Sequence, residues 1–537
     1  MTRAIVVDNV DSRCAELLKK YGIEVVTVSP NVKPDTLTPA DAVVIRSKPK
    51  FTVDYIDAAK PRIIARAGIG VDNIDTEYAT EQGIAVVNTP FGSTNAVAEY
   101  IFGAMLSLYR HFPQADMLTK AGEWPRGQFE GRELGGRQIG FVGLGNIGKN
   151  LTKKAAGFDM DIAFFDPYVS EYRDAKRYEK LEDLFSESDF VSLHIPLTQE
   201  TRGVITRELL ETLKEGAVFL NSSRAEVVEE GALKYVMKER PDINAALDVH
   251  YLEERGEQTM AQFGDRVILT PHIAGTTKEA QERCAQSAAE QIKEFFETGK
   301  ARHWVNGYNI PDDLSGYMQL ARKLGYIASR FVQNPVRIEF TCYNGLADYE
   351  DALRRAVIAG ALQDCGEFVN ELNAGMVAER IGLDVRSRKG TADKQYGNSI
   401  TVDLIANGED VSLRGARSWE DETGHTDVLR SIGHYSRDAT TKPDFYLEGG
   451  FPLKGDVAII IYDEVKGAAR VITGLTTDKD LDIAYTVQGK SGDRGKAVYC
   501  MRLEGPDTDR VFDSILRSGY IEVDGKYKVH KAITVQL

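Results

Sequence analysis

Short apolar runs alternate with helical stretches through the first half of the chain, and this pattern constrains the fold more than any other feature. The runs AIVVDNV, EVVTVS, AVVIRS, RIIARAG and AVVNTP come first, and RQIGFVGLG, DIAFFD, FVSLHIP, AVFLNSS, INAALDV and RVILTPH follow. Runs bounded by turn residues and separated by helices predict βα units. Parallel strands need such crossovers and are covered on both faces, so we expect two Rossmann-like parallel-sheet domains of the α/β class.

Two long helical segments indicate how these domains are connected. The segment NAVAEYIFGAMLSLYR predicts a buried helix that leads into the second domain, and KEAQERCAQSAAEQIKEFFETG predicts a helix that returns to the first. We therefore expect residues 1–95 and 280–307 to form one domain. Residues 96–279 form the second domain, inserted into the first.

The pattern changes beyond residue 307. Residues 308–452 mix helical segments, such as YMQLARKLGYIASRFV and EDALRRAVIAGALQ, with short strands, which predicts an α+β domain. Residues 453–537 follow the order strand, helix, strand, strand, helix, strand. That order is typical of a small ferredoxin-like module.

Composition excludes several classes of function. The chain of 537 residues carries a formal net charge of -15, which argues against a general nucleic-acid binder. None of its five cysteines forms a CxxC pair, so neither a disulfide framework, a zinc site nor another metal site is indicated. No apolar run is long enough to span a membrane, and MTRAIVVDNV resembles a strand rather than a signal segment. We expect a cytoplasmic protein.

The segment GLGNIG places Gly143, Gly145 and Gly148 in the GxGxxG spacing, between a predicted strand and a predicted helix. Asp166 ends the next strand, IAFFD. This context is the dinucleotide-binding fingerprint, because the glycines let the backbone approach a pyrophosphate at a helix N-terminus. A carboxylate at Asp166 accepts hydrogen bonds from ribose hydroxyls and repels a 2′-phosphate, so NAD is favoured over NADP. The alternative is a tight turn without a ligand.

Five further segments extend this fingerprint. They are ARAGIGVDNID (65–75), HIPLTQET (194–201), NSSRAEVVEEGAL (221–233), AALDVHYLEE (245–254) and LTPHIAGTTKEA (269–280). Together with GLGNIG they closely resemble the D-isomer-specific 2-hydroxy-acid dehydrogenases. The resemblance implies that residues 1–95 with 280–307 bind substrate and that 96–279 bind NAD.

The resemblance also implies a catalytic trio of Arg224, Glu253 and His272. Oxidation of an alcohol needs a base for the hydroxyl proton, and the resemblance gives that role to the imidazole of His272. Glu253 would hold the imidazole and stabilise its cationic form. Arg224 offers a planar fork to the substrate carboxylate. The family usually has Glu-Pro where this chain has Glu253-Glu254, so Glu254 is a rival for the carboxylate.

Other contacts follow from the same matching positions. The resemblance implies cofactor contacts at Asn146, Ile147, Pro196, Thr198, Ser222, Ser223, Asp248, Ala274 and Gly275, besides the fingerprint residues. It implies substrate contacts at Arg46, Ser47, Arg66, Gly68, Ile69, Gly70 and Arg126, the last of them within or across subunits. Basic groups near strand ends in an acidic chain suit a substrate with both a carboxylate and a phosphate. A solvated cluster of surface charges is the alternative.

We therefore expect hydride transfer from C2 of 3-phospho-D-glycerate to NAD, in a homodimer or homotetramer. An NAD-dependent reductase of hydroxypyruvate or glyoxylate is the nearest alternative. A non-enzymatic NAD-sensing scaffold is the alternative from a different class, and a turnover assay separates it from an enzyme.

The C-terminal segments extend the resemblance. Residues 308–452 resemble the intervening, allosteric substrate-binding-like domain of longer family members, through VNELNAGMVAERIGL (369–383) and YGNSITV (396–402). Residues 453–537 resemble an ACT-type regulatory module. Its first turn has Lys466 where proline is usual and Asp463 where asparagine is common. We expect this turn to bind serine weakly or not at all.

Overall fold

The computed structural model divides into two compact units, of residues 1–75 with 86–304 and of residues 76–85 with 305–537. The structure describes residues 2–7, 9–173, 175–251, 259–307, 311–332, 334–390, 397–406, 409–420, 424–436, 444–463, 482–490, 496–504, 520–522 and 526–537.

The first unit begins with a five-stranded sheet. Its strands are β1 (Arg3–Val7), β2 (Glu24–Val28), β3 (Ala42–Ile45), β4 (Ile63–Arg66) and β5 (Ala85–Val87). The accompanying helices are α1 (Ser12–Lys20) and α2 (Val53–Ala59). The strand order is β2-β1-β3-β4-β5, and the pairs among β1 to β4 are parallel. These strands are largely buried except β2, as expected for a parallel sheet covered by helices.

A second, seven-stranded sheet follows in the same unit. Its strands are β6 (Gln138–Val142), β7 (Asp161–Phe165), β8 (Lys176–Arg177), β9 (Phe190–Leu193), β10 (Val218–Asn221), β11 (Asn244–Leu247) and β12 (Val267–Leu269). They are ordered β12-β11-β10-β9-β6-β7-β8, with every pair parallel. The order reverses beside β6, which is where α/β sheets of this type bind nucleotides.

Six helices among the described residues accompany the second sheet. They are α4 (Thr94–Tyr109), α5 (Phe112–Lys120), α6 (Asn146–Ala156), α7 (Leu181–Glu187), α8 (Arg207–Glu211) and α9 (Ala232–Glu239). Helix α10 (Lys278–Thr298) follows them and returns to the first sheet. The Thr277 hydroxyl caps α10 by accepting from the Ala280 amide at 3.2 Å. Helix α10 packs against α1 and β4. The two predicted parallel sheets of the α/β class are thus confirmed.

The second unit contains α3 (Thr76–Glu81) and a six-stranded sheet with three further helices. The helices are α11 (Asp312–Phe331), α12 (Glu350–Ala361) and α13 (Ala374–Arg380). The strands are β13 (Arg337–Cys342), β14 (Asp384–Lys389), β15 (Ser399–Ile405), β16 (Glu409–Glu420), β17 (Gly424–Ser436) and β18 (Asp444–Pro452). Their order is β14-β13-β15-β16-β17-β18, antiparallel except for β13 and β14.

The last sheet is antiparallel. Its strands are β19 (Asp456–Asp463), β20 (Asp482–Lys490), β21 (Lys496–Glu504), β22 (Tyr520–Glu522) and β23 (Lys526–Gln536), ordered β20-β21-β19-β23-β22. The order of the four longer strands fits a ferredoxin-like module. The two predicted helices of that module, and Lys466 in its first turn, lie outside the described residues. The identification as an ACT-type module stays a prediction.

One buried core joins the third and fourth sheets of the second unit. Leu324 of α11, Phe340 of β13 and Phe451 of β18 belong to the same apolar cluster as Val457 of β19 and Val498 of β21. The two domains that we predicted on either side of the boundary between residues 452 and 453 therefore share one hydrophobic core. Among the described residues no helix is long and apolar enough to cross a membrane.

Candidate active site

The glycine-rich loop joins the carboxyl end of β6 to the start of α6. Gly143 has a φ of +92°, and a Cβ on it would lie 2.7 Å from the carbonyl oxygen of His194. A Cβ on Gly148 would lie 2.7 Å from the carbonyl oxygen of Gly143, so this glycine lets the helix pack on the loop. A Cβ on Gly145 would meet no protein atom within 4 Å. Packing therefore does not demand glycine at this position, and the N-terminus of α6 is open to an anion.

Asp166 follows β7 and is held by the backbone. Its Oδ2 accepts from the Leu144 amide of the glycine-rich loop at 2.7 Å. Its Oδ1 accepts from the amides of Tyr168 at 2.8 Å and Val169 at 3.1 Å. These bonds fix the half-buried carboxylate beside the loop, where a negative charge discriminates between a ribose hydroxyl and a phosphate.

Four other predicted cofactor residues lie on the loops after β6 and β9. Asn146 and Ile147 form the first turn of α6. Pro196 and Thr198 follow β9 in a turn organised by Thr201, whose hydroxyl donates to the Pro196 carbonyl at 2.6 Å. The Thr198 hydroxyl accepts from the Thr201 amide at 3.2 Å. Both loops follow the carboxyl ends of neighbouring strands, so they share one edge of the second sheet.

The turn after β10 carries three predicted site residues and is organised by Asn221. This asparagine is buried, and its Oδ1 accepts from the amide of Ser223 at 2.9 Å and from its hydroxyl at 2.8 Å. Its Nδ2 donates to the carbonyl of Arg224 at 2.9 Å. The Ser222 Oγ is buried without a hydrogen-bond partner in the described part of the chain. An unpaired buried hydroxyl is costly, and a ligand that bonds to it removes the cost.

Arg224 connects this turn to the first sheet. Its Nη2 and Nε donate to the same oxygen of Asp72, at 2.6 Å and 2.8 Å, and its Nη1 donates to the Ser223 carbonyl at 2.7 Å. A Cβ on Gly70 would lie only 1.6 Å from Nη2 of Arg224, so the missing side chain makes room for the guanidinium. The structure thus brings Arg224 to the predicted substrate loop.

A buried carboxylate positions the loop that carries His272. Asp248 is fully buried, and its Oδ1 accepts from the Thr270 hydroxyl at 2.5 Å and from the Ile273 amide at 2.8 Å. Its Oδ2 accepts from the Ala274 amide at 2.7 Å. The His272 amide donates to the Asp248 carbonyl at 2.9 Å. We expected Asp248 to reach a cofactor, and in the structure both carboxylate oxygens hold this loop.

His272 lies at the exposed end of this loop, in the left-handed backbone region with a φ of +54°. The predicted partner Glu253 and its rival Glu254 lie outside the described residues. The Nε2 of His250 is bonded to the Thr270 carbonyl at 2.9 Å, so this histidine has a structural role in the same loop.

Arg66 ends β4 beside the substrate loop. Burial, with the neighbouring Arg224 guanidinium, lowers the pKa of Arg66 to about 10, so it remains cationic at neutral pH. Its Nε has no hydrogen-bond partner among the described residues. The Gly68 amide donates to the Arg66 carbonyl at 2.8 Å, which leaves only the amides of Ile69 and Gly70 for a ligand. A half-buried cation beside two available amides is suited to an anion.

The remaining predicted substrate residues lie in two places. Arg46 follows β3 and donates through Nη2 to the Thr276 hydroxyl at 3.1 Å, and burial lowers its pKa. Ser47 is the exposed next residue. Arg126 lies on an exposed 3-10 turn, and its side chain makes no hydrogen bond or ion pair with the described substrate residues. The structure of one chain therefore does not bring Arg126 to this site.

Two residues that shape the substrate side were not predicted from the sequence. Asp72 holds two nitrogens of Arg224, and the Nδ2 of Asn73 donates to the carbonyls of Arg46 at 3.1 Å and Pro49 at 3.3 Å. Both lie in the segment ARAGIGVDNID, whose polar residues after the glycine loop were the available signal.

Two family models match this chain. The family model described as D-isomer specific 2-hydroxyacid dehydrogenase, NAD binding domain, matches residues 102–274. The model described as D-3-phosphoglycerate dehydrogenase intervening domain matches residues 313–423. These ranges cover most of the second sheet's domain and most of the six-stranded sheet.

Curated and solved relatives extend these matches. A D-3-phosphoglycerate dehydrogenase of Methanocaldococcus jannaschii is 33% identical over 529 residues, covering 96% of this chain and 97% of the relative. A hydroxypyruvate reductase of Thermotoga maritima is 39% identical over 305 residues, or 55% of this chain and 98% of the relative. The NAD+-bound crystal structure of 3-phosphoglycerate dehydrogenase in Entamoeba histolytica has a TM-score of 0.50 and 33% identity, covering 57% of this chain and all of that one.

We predict that Asp248→Ala destabilises the first unit. The substitution leaves the buried donors of Thr270, Ile273 and Ala274 without their acceptor, and we expect a loss of about 3 kcal/mol or more in the free energy of unfolding. Urea denaturation followed by tryptophan fluorescence and circular dichroism measures it. Asp116→Ala, which removes an exposed ion pair with Lys120, is the control and should cost under about 0.5 kcal/mol. Equal stability of the two variants would contradict the role given to Asp248.

Proposed function

This chain belongs to the D-3-phosphoglycerate dehydrogenase family of D-isomer-specific 2-hydroxyacid dehydrogenases, and we propose that it oxidises 3-phospho-D-glycerate to 3-phosphohydroxypyruvate with NAD. The reaction is the first step of phosphorylated serine biosynthesis. One observation carries the proposal: Arg224 lies beside the Gly68–Gly70 loop and close to Arg66. Groups that bind anions are therefore concentrated at one place in an acidic chain.

The residues present fit NAD. Gly145 is open, the Ser222 hydroxyl is buried without a protein partner, and the Asp166 carboxylate is fixed beside the loop. The α6 N-terminus, with Asn146 and Ile147, would hold the pyrophosphate. The other assigned contacts are Gly143, Gly148, Pro196, Thr198, Ser223, Asp248, Ala274 and Gly275. NAD supplies the acceptor for the hydride that leaves C2.

The chain's own residues handle the proton and the substrate's charges. We assign His272 as the base that takes the C2 hydroxyl proton and as the acid in the reverse direction. Burial lowers the pKa of His194 to about 3, so its imidazole is too weak a base to take that proton at neutral pH. Arg224 binds the carboxylate and polarises the developing carbonyl, and Glu253 is the proposed partner of the imidazole.

The substrate's two anionic groups are assigned to the basic strand ends. The amides of Ile69 and Gly70 with Arg224 would take the carboxylate. Arg66, Arg46 and Ser47, on the loops after β4 and β3, would lie toward the phosphate. Buried guanidinium groups bind anions more strongly than solvated ones, because less water competes for them.

A hydroxypyruvate reductase is the alternative that the comparisons favour next. The relative of that name covers 55% of this chain, whereas the D-3-phosphoglycerate dehydrogenase of Methanocaldococcus jannaschii covers 96% of it. Oxidation of 3-phosphoglycerate with NAD, together with the reduction of 3-phosphohydroxypyruvate, hydroxypyruvate and glyoxylate compared with NADH as the donor, tests the proposal. A higher kcat/KM for either unphosphorylated acid would contradict it, and no turnover at all would favour the scaffold.

We predict that His272→Asn lowers turnover by about 10²- to 10⁴-fold with NAD affinity unchanged, because only the proton-transfer group is lost. Asparagine tolerates the left-handed backbone of this position. His111 shares that conformation, with a φ of +56°, so His111→Asn is the matched control and should retain full activity. Stopped-flow and steady-state kinetics with fluorescence titration of NADH measure both effects. Normal turnover by the His272 variant would exclude it as the base.

We predict that Asp166→Asn improves the ratio of kcat/KM with NADP to that with NAD by about tenfold or more, because the charge that repels a 2′-phosphate is removed. Asp161→Asn, an exposed carboxylate at the other end of β7, is the control and should leave the ratio unchanged. An unchanged ratio in the Asp166 variant would show that specificity lies elsewhere.

We further propose a cytoplasmic homo-oligomer, a homodimer or homotetramer, with a contact on α5 and the turn after it. Phe112 is 53% exposed, Met117 59% and Trp124 83%, and large apolar surfaces of this kind commonly mark interfaces. Such a contact would also bring Arg126, two residues after Trp124, close to a neighbouring copy.

We predict that Trp124→Glu shifts the oligomer toward smaller species, because a buried charge would disfavour the contact. Light scattering after size-exclusion chromatography measures the mass. Tyr168→Glu, at a residue that is 89% exposed on another loop, is the control. An unaltered mass for the Trp124 variant would place the interface elsewhere.

A further inference from the structure

Two carbonyls of the substrate loop are bonded to the residues that follow β5. The Thr89 amide donates to the Gly68 carbonyl at 2.9 Å, and the Thr89 hydroxyl lies 3.3 Å from the same oxygen. The Asn88 Nδ2 donates to the Ile69 carbonyl at 2.7 Å. Consecutive peptide units of the loop are therefore held from one side.

This anchoring decides where the loop's free amides point. In a trans peptide the carbonyl and the following N–H point in opposite directions. Because the Gly68 and Ile69 carbonyls point toward residues 88–89, the N–H groups of Ile69 and Gly70 point away from them. Neither amide has a hydrogen bond among the described residues. Two successive N–H groups on one side form an anion-binding concavity, and Gly70 also borders Arg224.

Asn88 is itself held by a buried residue of α10. Gln291 is 1% exposed, and its Nε2 donates to the Asn88 carbonyl at 2.9 Å. Its Oε1 accepts from the His303 amide at 3.0 Å, and the Asn88 amide donates to the His303 carbonyl at 3.2 Å. A side-chain amide whose nitrogen and oxygen are both hydrogen-bonded has one orientation, so Gln291 fixes the backbone of Asn88.

We propose that Asn88 is a positioning residue for the substrate carboxylate, which orients the amides of Ile69 and Gly70, and that Gln291 holds it in place. This role depends on the proposed function in one respect only, namely that the carboxylate belongs to 3-phosphoglycerate. Asn88 does not touch the substrate and acts through the Ile69 carbonyl. Its removal therefore impairs substrate binding more than hydride transfer, and leaves the cofactor side unaffected.

Asn88→Asp tests this role with almost no change of shape, because it replaces the Nδ2 donor by an oxygen that repels the Ile69 carbonyl. We expect KM for 3-phosphoglycerate to rise about 10- to 100-fold, the loss typical of misaligned bonds to a charged group. kcat should stay within about threefold, and KM for NAD should not change. Asn88→Ser, whose smaller hydroxyl is still a donor, should recover part of the loss. Asn95→Asp is the control, since Asn95 is exposed and its side chain donates to the nearby Glu99 carboxylate rather than to the substrate loop.

Amide hydrogen exchange of residues 86–92 without substrate gives a readout that does not depend on activity. The Thr89 amide, bonded to the Gly68 carbonyl, should exchange faster in Asn88→Asp than in the wild-type or Asn95→Asp proteins. Wild-type protein inactive on 3-phosphoglycerate would contradict the proposed function, and the exchange rates would still decide the present inference. Unchanged exchange, an unchanged KM, or equal losses on the substrate and NAD sides would each overturn it.

Discussion

The parallel alignment of the strands is the constraint on which the candidate site depends. In a parallel sheet all carboxyl ends lie at one edge, so loops that are far apart in sequence follow neighbouring strands. The glycine-rich loop follows β6, Asp166 follows β7, and the turn with Arg224 follows β10. The loop with His272 follows β12, the last strand of the same sheet. Each of these strands therefore places one functional loop at the same edge of the sheet.

Buried or half-buried polar side chains then fix each loop, because such loops have few backbone partners of their own. Asn221 holds the turn before Arg224, and Asp248 holds the loop around His272. Asn73 and Asn88 hold carbonyls on the substrate side. A side-chain amide or carboxylate bonded to two or more backbone groups leaves them little freedom. A loop prepared in this way loses less entropy when a ligand binds.

The charge distribution favours an anionic ligand locally, against the net charge of the chain. Arg224 is paired with Asp72, whereas the Nε of Arg66 is buried without a partner among the described residues. Burial lowers the pKa of Arg66 without neutralising it, so its charge is poorly solvated while the site has no ligand. Asp72 limits the repulsion between the two guanidinium groups. An arriving carboxylate or phosphate would supply the remaining counter-charge.

Local sequence patterns were enough to predict the fold class and the nucleotide loop, and the family resemblance supplied the other candidate residues. Apolar periodicity and glycine spacing are local signals, so both parallel sheets and the residues from Gly143 to Gly148 could be predicted from neighbouring residues alone. The hydrogen-bond partners of these residues, in contrast, follow from the tertiary structure. It joined Asp72 to Arg224 across 152 positions and Gln291 to Asn88 across 203. In the folded chain the Gly68 amide donates to the Arg66 carbonyl, and both carboxylate oxygens of Asp248 accept hydrogen bonds from the protein itself. Hydrogen bonds between remote segments depend on where the sheets place their loops, and no local pattern encodes that placement.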